Sequence, residues 1–212
     1  MMDLSYDLGD SVMANTNAPF GFRQWSGTGS APTYEQIAMV IDKDDTNAVY
    51  WGDPVVPLNT GYVGKGDPSG APTVQIAGIF YGCKYLSTSQ KRTVWSNYWP
   101  GSDAAADVEA YVVNDPNAKF LVQVAGSSST GAAFGDINSN VQFAYGTGNA
   151  NTGISGAYID ISVSPTTTAT LPFRVISLVT QPPGGPGTEA GAYNYVIVAF
   201  NNVSTKQLTS VG

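Results

Sequence analysis

Asp107 and Glu109 stand two residues apart in DVEAYVV, a run that reads as a strand, so both carboxylates project from one face of it. Two acids held that way are the minimum for glycosidase-type catalysis, one as general acid and the other as base or nucleophile. An edge strand bearing solvated acids has the same sequence, and Glu35, Glu109 and Glu189 are the only glutamates. The 212 residues include no histidine, which removes the common general base at neutral pH, the Ser-His-Asp arrangement and the most frequent metal ligand together. DKDDTNAVYWGD, 42–53, opens like a calcium loop with Asp42 and Asp44 at its first and third positions. Asn47 then takes the place that needs glycine and Asp53 the place of the bidentate glutamate, so a polar turn between strands is the better reading. Cys83 is the single cysteine, which excludes an intramolecular disulfide and cysteine-rich zinc patterns; its apolar surroundings mark a small buried residue. GTGNANTG, 146–153, is glycine-rich but has no lysine and no strand-to-helix context, so it reads as a loop rather than a phosphate cradle. The sequence therefore predicts no catalytic residues, no metal site and no cofactor.

Whatever these side chains do, a scaffold must position them, and composition restricts its kind. Charged residues make up 12% of the chain against about a quarter in an ordinary domain, and 24 glycines and 13 prolines interrupt it too often for long helices. Runs rich in β-branched and aromatic residues recur at 34–41, 48–51, 73–86, 93–99, 107–113, 118–124, 141–145, 157–163, 171–179 and 192–201. TVQIAGIFYGCKYL is apolar on both alternating faces, which predicts a central strand with Gly78 and Gly82 at bends or bulges. FGDINSN after Phe134 predicts a single helical turn with Asp136 as cap, and TQPPGGPGTEAG, 180–191, a long surface loop. The expectation is an all-β chain, an antiparallel barrel or sandwich-like assembly with long Gly/Pro-rich loops. Its parts would be an extended arm at 1–30, a first lobe at 31–125 and a second half at 126–212, as one unit or two lobes.

The net charge of −7 and the scattered lysines and arginines disfavour direct nucleic-acid binding. No run reaches the roughly 18 apolar residues of a membrane span, and MMDLSYDLGDSV has acids where a secretory signal needs bases, so the expected site of synthesis is the cytoplasm. MANTNAPFGFR, from Met13, reads as an alternative start. Two aromatic clusters remain unexplained. NAPFGFRQW, 17–25, carries Phe20, Phe22, Arg23 and Trp25 without a helical or strand period. TVWSNYWPGS carries Trp95, Tyr98 and Trp99, with both tryptophans on one face of the expected strand. Such aromatics suit the centre of a protein interface or a sugar-stacking surface.

In order along the chain, MANTNAPFGFR, DDTNAVYWGDPV, IAGIFYGCKYL with SNYWPGS, DVEAYVVNDPNAKFLVQV and YNYVIVAFNNVSTKQL resemble the head decoration, or cement, proteins of tailed bacteriophages. The resemblance runs nearly the whole length from Met13. It implies a non-enzymatic all-β virion protein on the outer surface of the capsid, bound to the major capsid protein as a homo-oligomer, expected to be a trimer. Phe20, Phe22, Arg23 and Trp25 would then anchor an arm, and Trp95, Tyr98 and Trp99 would form a second contact. The alternative is a carbohydrate- or receptor-binding virion component that uses the exposed aromatics.

Overall fold

In KFLVQVA and YVIVAF alternate side chains are apolar, and where two such segments pair, the shared face must be buried. The computed structural model describes residues 15–66, 75–125, 131–162, 165–179 and 191–205. Among these the strands are β1 (Arg23–Ser26), β2 (Ile37–Ile41), β3 (Pro54–Pro57), β4 (Val63–Lys65), β5 (Gly78–Leu86), β6 (Thr93–Ser96), β7 (Val108–Val113), β8 (Lys119–Ala125), β9 (Asn140–Ala144), β10 (Tyr158–Asp160), β11 (Phe173–Leu178) and β12 (Tyr195–Phe200). The chain is all-β and sandwich-like, built from two six-stranded sheets. Every pairing between these strands is antiparallel except β8 with β10.

The first sheet runs β1-β8-β10-β9-β11-β12, and β12 also pairs with β8, so five of its strands close into a circuit. Its interior holds Phe22, Phe120, Val122, Phe143, Ile159, Phe173, Val175, Val196, Val198 and Phe200. The second sheet runs β2-β7-β5-β3-β4 with β6 on β5, and encloses Ile41, Val55, Phe80, Cys83, Tyr85, Trp99, Val108 and Val112. β5 is central, as expected: Ile79 enters the first core and Phe80 the second. Its register slips between Phe80 and Gly82, leaving Tyr81 as the extra residue of a bulge. Gly82 sits at φ +144, and a Cβ there would lie 3.0 Å from the Ser96 carbonyl oxygen, so the bulge needs glycine.

Three expectations are corrected. The division at 126 fails because β1 and β8, from the first part of the chain, belong to the sheet formed with β9–β12, whose core Phe22 and Phe120 help to fill. The extended arm fails within the described residues. Gly21 N–H donates to Ala157 O, Phe22 N–H to Gly52 O, and Arg23–Ser26 pairs with β8; residues 1–14 lie outside the described part. The run 48–51 makes single bridges, Val49 to Trp99 and Trp51 to Ile154, rather than a strand. The turn at Phe134–Asp136 is 3-10 helical, and Asp136 accepts from Ala133 N–H at 2.7 Å. The 180–191 loop lies outside the described residues except for Gly191.

Candidate functional site

The carboxylates singled out for chemistry are all engaged locally. Asp107 accepts from Tyr62 Oη at 3.0 Å and from Lys43 N–H at 3.4 Å, at the surface before β7. Glu109 pairs with Lys84 across β5 and β7 at 3.0 Å, and that hydrogen bond holds its carboxyl below the usual range. Neither acid lines either of the two hollows described below. In the 42–53 segment Asp42 accepts from Asp44 N–H and Asp45 from Asn47 N–H, both at 2.9 Å, which is the chemistry of Asx turns. Among the described residues no three His, Cys, Asp or Glu side chains are grouped to hold a metal. Cys83 is buried, its Sγ 3.4 Å from Tyr98 O, and burial pushes its thiol up to about 12, far from the thiolate that reactivity needs. The 146–153 loop is closed on itself by Asn149 and is bonded by Asn97 Nδ2 through Thr152 O at 2.7 Å.

A buried cluster that sequence reasoning passed over lies between the sheets. Asp53, in the turn before β3, accepts from Tyr50 N–H at 2.8 Å and from the Ser155 hydroxyl at 2.5 Å, and Lys65 Nζ of β4 lies 3.3 Å away. Lys65 Nζ also sits 4.6 Å from the Tyr145 ring centroid, while Tyr145 Oη donates to Pro54 O. Burial raises the Asp53 pKa, opposed by the Lys65 ammonium and the Ser155 and Tyr50 donors. Hydroxyl, carboxylate and ammonium are reactive types, yet Asp53 and Ser155 are buried with every hydrogen-bonding atom satisfied. The cluster joins the β3–β4 hairpin to the loop before β10. Its only signal in the sequence was an acid in a Gly-Asp-Pro turn.

The aromatic candidates separate. Phe22 is fully buried, stacked on Phe173 at 4.5 Å and edge-on to Phe120 and Phe143, so it anchors its own barrel and not a partner. Trp99 is also fully buried: β6 ends at Ser96, the chain turns, and the indole packs edge-on to Tyr85 and donates to Asp45 O at 3.3 Å. It does not share an exposed face with Trp95. Tyr98 stacks on Tyr50 at 5.5 Å, and Phe20 packs against Tyr195 at 5.4 Å. Trp95 is 67% exposed, and in register across β6, β5, β7 and β2 it heads a row of Trp95, Lys84, Glu109 and Val40. Leu86 and Val40 are exposed on the same face.

Arg23 and Trp25 point outward from β1 into a cleft of about 250 Å³ that also takes Tyr34, Trp51 and Tyr81. A second hollow, of about 330 Å³, lies against Asn17, Gly146, Thr147 and Tyr158 and has no charged side chain in its wall. Tyr34, Trp51 and Tyr81 were missed as candidates because they are far apart in sequence. Compared with protein-family models, with curated proteins and with solved structures, the chain has no match.

Proposed function

We propose that this chain is a non-enzymatic structural protein of a tailed-phage virion, a cement protein that binds the outside of the capsid through the major capsid protein as a homotrimer. The observation that carries the reading is the outer face of the second sheet. There the exposed apolar side chains Val40, Leu86 and Trp95 flank the Lys84–Glu109 ion pair across adjoining strands. An apolar patch with a charge pair in its middle has the composition of a protein contact. The acidic balance, −7, suits a position away from packaged DNA.

The test is occupancy on purified capsids lacking the chain. Trp95→Ala removes a side chain that is 67% exposed, so the fold is expected to survive. Loss of a hot-spot tryptophan is expected to weaken attachment by about 2 kcal/mol per copy, roughly thirtyfold. Full occupancy by the variant, or failure of the unaltered chain to bind capsids at all, would overturn the reading. Light scattering reports the trimer, and a strictly monomeric protein both free and on the particle would count against it.

A further inference from the structure

The cleft beside β1 has features that packing does not require. Tyr34 is 61% exposed yet holds φ +52, a backbone conformation that is uncommon for a bulky aromatic residue. It is kept there by Gln24, whose buried amide accepts from Tyr34 N–H at 2.9 Å and donates to Thr33 Oγ1 at 3.1 Å. Opposite, the β5 bulge aims Tyr81 at β1, where its hydroxyl accepts from Gln24 N–H, and Trp51 leans on the Tyr81 ring at 4.9 Å. Two side chains on the same face of β1 complete the wall: Trp25, 48% exposed, and Arg23. Arg92 and Arg174 bond side-chain amides, whereas the Arg23 guanidinium meets no acceptor among the described residues and lies over Phe20 at 4.5 Å and near Trp51 at 5.7 Å.

We infer that this cleft binds a carbohydrate whose pyranose ring carries a carboxylate, with the ring stacked on Trp25 and the carboxylate on Arg23. A volume of about 250 Å³ suits one six-membered sugar ring rather than a larger ligand. Aromatic faces accept the C–H face of a pyranose, and the planar guanidinium fork matches a carboxylate. Lys43, Lys65 and Lys84 are neutralised by neighbouring acids. Arg23 is not, and a cation left among aromatic rings on a chain of net charge −7 discriminates in favour of an acidic ligand at that point. The assignment does not depend on attachment to a capsid, because every wall of the cleft belongs to one chain.

The test is titration calorimetry of the full chain with tetragalacturonate, with 3′-sialyllactose and with neutral maltotetraose. Saturable binding of an acidic sugar is expected below about 1 mM and at least about tenfold tighter than maltotetraose; which acidic sugar binds tells a uronate from a sialate source. Arg23→Gln should reduce acidic binding to the neutral level, Trp25→Ala should abolish it, and Phe134→Ser, on a remote exposed turn, should leave it unchanged. Tyr34→Gly relieves the positive φ, so affinity is expected to fall at least about fivefold while the melting temperature holds or rises by about 2 °C. No saturable binding of either acidic sugar, equal affinity for maltotetraose, or binding indifferent to Arg23→Gln and Trp25→Ala would overturn the proposal. A marked drop in melting temperature for Tyr34→Gly would mean that the tyrosine serves packing and would likewise count against it.

Discussion

At the scale of single residues, Asp103 shows how a surface acid can be structural without an ion pair. Its carboxylate accepts from Ser87 Oγ at 2.7 Å, Thr88 Oγ1 at 2.9 Å, Ser89 N–H at 3.0 Å and Ser89 Oγ at 3.2 Å, closing the turn after β5. These donors, Ser87 first, lower its pKa from 3.8 to about 2. Because the folded value lies below the unfolded one, the stabilisation is present above 3.8 and is lost as pH falls through that value toward about 2. Asp103→Asn is therefore expected to melt below the unaltered chain at pH 7, with the gap closing over that acid window. Thermal melts from pH 7 downward check this, and a gap independent of pH would show that the charge is irrelevant.

At the scale of elements, β1 is the segment whose role the tertiary structure changed most. Its inward positions are Gln24 and Ser26 while Trp25 faces out, so the usual apolar-in pattern is inverted and no strand is legible in NAPFGFRQW. What places it is Phe22 just before it, which completes an aromatic cluster with Phe120, Phe143 and Phe173. Phe22→Ala is expected to cost about 3–5 kcal/mol in urea unfolding, the usual loss for a fully buried phenylalanine; a loss below about 1 kcal/mol would mean that the barrel core does not rest on it. The prolines of PVVP hid β3 for a different reason: Pro54 and Pro57 stand at its two ends and leave only two buried valines between them, too short an apolar run to signal a strand.

At the scale of the whole molecule, the two sheets are joined at Asp53. Its contact with Ser155 crosses to the first sheet, while Lys65 of β4 balances its charge from within the second, and removing the carboxylate strands a mostly buried ammonium. Asp53→Ala is expected to destabilise by about 3 kcal/mol, whereas Glu109→Ala, which breaks the solvent-screened pair with Lys84, should cost clearly less. Equal losses in denaturant titrations would remove the case for Asp53 as the joint.

Alternation and turn chemistry alone determined the all-β class, the central place of β5, the bulge at Gly82 and the burial of Cys83, because these depend on side-chain period and local backbone freedom. The direction of a side chain beyond the end of a strand is not periodic. Trp95 and Trp99 share a parity in sequence, yet the turn after Ser96 sends one to solvent and the other into the core. Pairing between distant segments was equally silent. Only the fold decided that β1 and β8 join the later strands, that Asp53 meets Ser155, and that Arg23, Tyr34, Trp51 and Tyr81 line one cleft, because long-range contacts follow from packing two closed faces together rather than from local sequence.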